Sequence, residues 1–165
     1  MAGLDMPAAH RSRWLRVPPP LLFGAAFIAG WLLGNEVPPH QLLPEPLLGM
    51  ARRVGFGLVA VALVFVAPSV LLFLRHRTTL LPHSHDARVL VAGGPFRVTR
   101  NPMYVGFTTA YLGAALVANA AWPLVLLALP LWVLNAKVIP YEEGNLLRNF
   151  GDSYRAYQKR VRRWL

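Results

Sequence analysis

Cysteine is absent from the 165 residues. That excludes disulfide staples, zinc–thiolate sites and cysteine nucleophiles. Acidic residues are scarce, 7 against 17 Lys+Arg, and charged residues make up only 15% of the chain. A soluble domain carries about 25% charged residues. The net charge of +10 would suit a nucleic-acid partner on a soluble protein. With 55% hydrophobic residues and a mean hydropathy of +0.41, it suits an integral membrane protein instead, and no nucleic-acid partner is expected. The length allows a single membrane domain over residues 1–165.

Long apolar runs are what the chain has. Val54 to Leu74 is 21 residues without a charge, about the length that crosses a bilayer as a helix. Leu21 to Gly34 follows the triple proline Pro18-Pro19-Pro20. Arg11, Arg13 and Arg16 would suit the charged start of a signal peptide, but bulky Trp31, Leu32 and Leu33 occupy the place of a small-residue cleavage site. The segment reads as a retained helix. No charge occurs in the 36 residues between Arg100 and Lys137. As one helix this stretch would be roughly 54 Å long, against a hydrocarbon core of about 30 Å, so it folds back. Asn119-Ala120-Ala121-Trp122-Pro123 is the natural turn.

The expected fold is therefore all-α. It has four transmembrane helices over 18–34, 54–74, 102–118 and 122–140, and a C-terminal amphipathic segment over 141–165. Leu146, Leu147, Phe150, Tyr154, Tyr157, Val161 and Trp164 recur there at helical spacing, with a stop and restart expected at Gly151-Asp152. Four spans place 15 of the 17 Lys/Arg on one side, Arg52 and Arg53 being the exceptions. By the positive-inside rule, that side, with both termini, is cytoplasmic.

Two polar clusters flank the hairpin. Asn101 before Pro102 reads as an N-cap with proline at the first helical position, so the third span begins at a helix N-terminus suited to an anion. Arg97 and Arg100 stand beside it, as membrane anchors or as part of a site. Tyr141-Glu142-Glu143 lies where the hairpin returns. Carboxylates at a membrane edge have either a partner or a function, and this pair should approach the Asn101-Pro102 helix start. A zwitterionic ligand would fit there; simple pairing with arginines is the bland alternative. His83-Ser84-His85-Asp86 reads as a solvated loop, and no metal site is expected. Gly55-x-Gly57 follows no strand and is not a dinucleotide fingerprint.

Leu90-Val-Ala-Gly-Gly-Pro-Phe-Arg-Val-Thr-Arg-Asn-Pro-Met-Tyr-Val-Gly106, Glu142-Glu143 and Phe150-Gly-Asp-Ser-Tyr-Arg-Ala-Tyr157 with Val161 closely resemble the isoprenylcysteine carboxyl methyltransferase family and the related phospholipid methyltransferases. Thr78-Thr79 matches bacterial members, implying a bacterial inner membrane. The resemblance covers roughly residues 78–165. It implies a membrane-embedded, non-Rossmann methyltransferase that uses S-adenosylmethionine, releases S-adenosylhomocysteine, and keeps its cofactor site on the cytoplasmic side. Carried over by motif, Arg88, Val89, Leu90, Val91, Gly94 and Phe96 would line the cofactor, and Asn101, Pro102, Met103 and Tyr104 would form one wall. Glu142 would hold the methionine ammonium; Glu143 would face ammonium or substrate, with Arg100 as a further substrate-side candidate. No catalytic residue is assigned. Many members carry His where this chain has Asn101, and eukaryotic members place an Arg near the position of Lys137-Val138-Ile139-Pro140. The implied acceptor is thus an amphiphilic, lipid-like molecule entering from the bilayer, bearing a carboxylate, thiol or amine. The alternatives are N-methylation of phosphatidylethanolamine and a non-enzymatic scaffold or transporter subunit.

Overall fold

The computed structural model describes residues 17–75 and 89–165. Arg11, Arg13, Arg16, Thr78, Thr79, the His83–Asp86 stretch and Arg88 lie outside the described residues. Among the described residues, helices account for nearly all regular structure.

Helix α1, Pro19–Glu36, starts where Pro18-Pro19-Pro20 supplies proline at its first turn, a position that needs no N–H donor. An irregular stretch and a 3₁₀ turn at Glu45–Leu47 lead into α2, Leu48–Arg75. This helix begins ahead of the expected Val54: Arg52 and Arg53 lie inside it, exposed near its start, rather than marking its boundary. Pro68 sits within α2, and the buried Ser69 hydroxyl donates to the Phe65 carbonyl at 2.6 Å. Helix α3, Pro102–Ala118, has the expected bounds, because Asn119 adopts a left-handed conformation and ends it.

The last apolar span is built differently from expectation. It comprises α4, Ala121–Leu126, then α5, Ala128–Val133, and a π-helical turn at Leu134–Val138. This runs directly into α6, Ile139–Arg160. The amphipathic segment is thus no separate surface helix starting at 141; Pro140 lies in the first turn of α6, where a proline is tolerated. The expected break at Gly151 is present, with φ 50° and ψ −121°, a backbone that glycine adopts without a Cβ penalty.

Two continuous helical runs, Glu45–Arg75 and Ala121–Arg160, are long and apolar enough to cross a membrane. The 17-residue α3 is apolar but shorter, and the 18-residue α1, which begins with two prolines and ends in Asn35-Glu36, is not among them, so two of the four expected spans meet that standard. Phe56, Leu63, Val64, Leu71 and Leu74 of α2 are all exposed. That much outward apolar surface on one helix suits hydrocarbon rather than water.

Close backbone approach joins α2 to α3. A side-chain carbon on Gly113 would lie 2.6 Å from the Gly55 carbonyl oxygen, and one on Gly55 would lie 2.7 Å from that of Gly113. This is small-residue packing of membrane helices, and it gives Gly55 a role that the Gly-x-Gly pattern did not. At one end of the bundle, the Asn119 amide brackets Leu43, accepting its N–H at 2.8 Å and donating to its carbonyl at 3.0 Å. Trp122 Nε1 donates to the Val37 carbonyl at 2.7 Å. The hairpin turn is thereby stitched to the α1–α2 connection.

Replacing Gly113 with Ala should cost about 1–3 kcal/mol, as overpacking does. Gly57→Ala, which meets nothing within 4 Å, should be neutral or stabilising. Thermal unfolding of the detergent-solubilised variants checks the contrast.

Candidate functional site

At the other end of the bundle, the chain returning from the undescribed stretch forms a wall before α3 begins. Val89 to Val91 is irregular, and a 3₁₀ turn follows at Gly94–Arg97. Gly94 takes φ 55°, which permits the turn. Phe96 is buried with its ring edge-on to Phe73 of α2 at 5.6 Å.

The C-terminal residues lie along the stretch that follows. Thr99 and Arg162 form an isolated parallel bridge, and Arg100 N–H donates to the Arg162 carbonyl at 2.8 Å. The fully buried Thr99 hydroxyl donates to the Arg163 carbonyl at 3.0 Å. Asn101 occupies the N-cap position of α3, but its side chain caps nothing; its amide donates to the Arg163 carbonyl at 2.9 Å. The expected capping role is therefore corrected. The Asn101 side chain pins the C-terminal segment, while its backbone carbonyl accepts the Tyr104 and Val105 N–H groups. Tyr157 Oη donates to the Phe96 carbonyl at 2.7 Å, and Trp164 Nε1 to Asn135 Oδ1 at 2.9 Å.

The adjacent carboxylates have separate fates. Glu143 is held by two guanidinium groups, Arg100 at 2.8 Å and Arg163 at 2.6 Å. Arg100 also donates to the Gln158 and Val161 carbonyls. The carboxylate raises the Arg163 pKa above its ordinary value. Glu142 has no cationic partner among the described residues and accepts a hydrogen bond from Tyr104 Oη at 2.6 Å. The arginine-pairing alternative thus describes Glu143 and leaves Glu142 out.

Both carboxylates border a cavity of about 390 Å³, within the range of small-molecule sites. Of the residues named from sequence, Val89, Leu90, Val91 and Phe96 line it. So do Arg100, Asn101, Pro102, Met103, Tyr104, Glu142 and Glu143. Gly94 does not; it shapes the turn and packs towards Leu72. Arg88 lies outside the described residues.

Sequence reasoning missed several lining residues. Pro18, Pro19 and Pro20 close one edge, with Val70 and Phe73 from α2 and Phe107 from α3. Asn145, Leu146, Asn149, Tyr154 and Tyr157 come from α6. Asn145 and Asn149 were within reach of a pattern argument. They stand three and seven residues after Glu142, on the same face of one helix, where the Asn side chains form a polar row. Tyr154 and Tyr157, part of the amphipathic pattern of the C-terminal segment, are both buried in the protein.

The chain matches the phospholipid methyltransferase family over residues 50–153. It is 37% identical over 73 residues to protein-S-isoprenylcysteine O-methyltransferase of Schizosaccharomyces pombe, covering 44% of this chain and 31% of that protein. Against a probable protein-S-isoprenylcysteine O-methyltransferase of Oryza sativa subsp. indica it is 34% identical over 79 residues, covering 48% and 41%. The B-form enzyme of Arabidopsis thaliana is 33% identical over 72 residues, covering 44% of this chain and 36% of that protein. The matched region spans a third to two fifths of these curated relatives. No solved structure matches the chain.

Removing Glu143 leaves the buried Arg100 guanidinium unpaired, so Glu143→Ala should cost about 3–5 kcal/mol. Arg163→Ala, at a side chain 39% exposed, should cost about 1 kcal/mol or less. Chemical or thermal denaturation of the two variants reads the difference.

Proposed function

The chain belongs to the phospholipid methyltransferase family, and we propose that it transfers a methyl group from S-adenosylmethionine to an amphiphilic, lipid-like acceptor reaching the site from the bilayer. The observation that carries this reading is the division of labour between the two glutamates. Glu143 is neutralised by Arg100 and Arg163, while Glu142 faces the cavity bonded to the Tyr104 hydroxyl and has no cationic partner among the described residues. A carboxylate at a low-polarity site without a resident cation suits a ligand that brings its own.

The residues present fit that cofactor. Glu142 would bind the methionine ammonium, and the start of α3 would bind the carboxylate. Phe73, Phe96 and Tyr104 supply aromatic faces for a sulfonium or adenine, and Asn145 and Asn149 supply amides for polar edges. When bound, the cofactor supplies an already activated methyl group. What remains for the chain is to orient the acceptor, hold it in line and exclude water. Val70, Phe73, Leu90 and Phe107 give the cavity the apolar walls that this requires.

Acceptor chemistry follows from the same division. A carboxylate or thiolate needs no proton removed. An amine does, and Glu143 is already committed to two arginines. This favours a carboxylate, or a thiol already ionised, over N-methylation of phosphatidylethanolamine, the reading that the family's description would otherwise suggest. A multi-pass placement, with both termini and the cavity on the cytoplasmic side, is supported by the clustering of basic residues at that end.

Calorimetry of the purified protein with S-adenosylhomocysteine tests the reading. Wild type should bind. Glu142→Gln should weaken binding by about 10- to 100-fold, the loss of a hydrogen-bonded charge partner. No binding at high micromolar ligand, with Glu142→Ala indistinguishable from wild type, would leave a non-enzymatic membrane protein as the better account.

A further inference from the structure

Helix α3 meets α6 beside the cavity in a pair of side chains, tyrosine to carboxylate. Tyr104 Oη, in the first turn of α3, donates to Oε1 of Glu142, in the first turn of α6, at 2.6 Å. The tyrosine is held independently of any ligand. It is buried, its N–H donates to the Asn101 carbonyl at 3.0 Å, and Thr108 Oγ1 donates to its carbonyl at 2.8 Å. Its ring lies tilted against that of Phe107, 6.5 Å between centroids. The hydroxyl is therefore fixed at the cavity wall.

Glutamate is a long side chain, and an unheld one gives up its rotamer freedom when a ligand fixes it. Here one oxygen is fixed beforehand. The other, Oε2, makes no hydrogen bond among the described residues, and none of their buried side-chain oxygens is left unpaired. Oε2 therefore opens onto the cavity that Glu142 lines. The carboxylate is divided, with one oxygen bound to the protein and one turned to the ligand space.

Resting on the methyl-transfer reading above, we propose that Tyr104 is a positioning residue, whose hydroxyl orients Glu142 so that Oε2 meets the ligand's ammonium. This role is separate from the aromatic face that the ring offers. A hydroxyl donating to a carboxylate makes a short, charge-assisted bond, and a partner already oriented spares the ligand the cost of ordering it. Phenylalanine at this position keeps the ring, its contact with Phe107 and the backbone bonds, and loses the hold on Oε1. The effect is selective. It weakens ligands that carry the ammonium and spares those that lack it, whereas a purely structural tie between α3 and α6 weakens both alike.

The test is calorimetry of the purified protein in amphipol with two probes, S-adenosylhomocysteine and its deaminated analogue, in which hydrogen replaces the amino group. Tyr104→Phe should weaken S-adenosylhomocysteine about tenfold, the size of one charge-assisted hydrogen bond, and the analogue less than about twofold. In a Glu142→Ala background, Tyr104→Phe should cost nothing further, because both changes remove one shared interaction. Replacing Tyr104 with meta-fluorotyrosine, which keeps the O–H, should retain wild-type affinity. Equal losses for both probes overturn the proposal, and so does unaltered S-adenosylhomocysteine binding in Tyr104→Phe. A loss that persists undiminished in the Glu142→Ala background also overturns it, because the hydroxyl then acts on the ligand directly. Should Tyr104→Phe fail to fold, the fluorotyrosine protein carries the test. Its fluorine resonance should shift with S-adenosylhomocysteine and hold still with the analogue; equal shifts overturn the proposal. Failure of S-adenosylhomocysteine to bind wild type is a separate result. It removes the methyl-transfer reading and the positioning role with it, whereas equal losses for both probes remove only the role.

Discussion

The Glu143 carboxylate, shared between Arg100 and Arg163, is the interaction on which the polar end of this bundle depends. A largely buried carboxylate is stable only when paired and hydrogen-bonded, and this one is paired from both sides. The two arginines come from different parts of the chain, one immediately before α3 and one after α6. A single acid thereby fastens the loop before α3, helix α6 and the C-terminal segment to one another. Arg100 extends the fastening to the carbonyls of Gln158 and Val161. With Glu143 saturated in this way, the neighbouring Glu142 is left to the cavity. Adjacent positions on one helix point in different directions, and here that separates a charge paired with two arginines from one bonded to the Tyr104 hydroxyl.

The opposite end is fastened without charge. Asn119 and Trp122 bond the hairpin turn to the α1–α2 connection, and between the ends α2 and α3 touch through Gly55 and Gly113. In a bilayer, hydrophobicity does not hold helices together, because lipid is as apolar as leucine. Close backbone contact and hydrogen bonds at the ends take over that task. The aromatic contacts of Phe23, Phe27, Phe107 and Tyr111 then set how α1 lies on α3.

Much of this was legible in the residues because local signals were strong. Pro102 and Asn119 bracket α3 so closely that its bounds follow from them. The uncharged stretch between Arg100 and Lys137 was too long for one crossing, and that forced the hairpin which returns Glu142 to Tyr104 at 2.6 Å. The failures share a cause: they concern choices made by tertiary partners. Arg52 and Arg53 suggested a helix boundary that helix propensity did not respect. Asn101 has the chemistry of a cap, but the Arg163 carbonyl competes for its amide and wins. The helical spacing of Tyr154 and Tyr157 marked an apolar face without naming its cover, which is Phe96 and the cavity. Periodicity reports that a face is apolar, and it does not say what covers that face.

Most of the bonds that tie distant segments together end on main-chain atoms. Asn119 holds the backbone of Leu43, Trp122 the carbonyl of Val37, and Tyr111 that of Pro123. Tyr157 holds the carbonyl of Phe96, and Thr99 and Asn101 that of Arg163. Every residue type has a carbonyl, and all but proline an N–H, so the main-chain position is indifferent to the side chain it bears, while the side-chain position is not. The molecule is therefore unevenly mutable. A few Asn, Tyr, Trp and Thr positions carry much of the specification of tertiary structure, while partners such as Val37 and Leu43 take part through the main chain alone in these bonds.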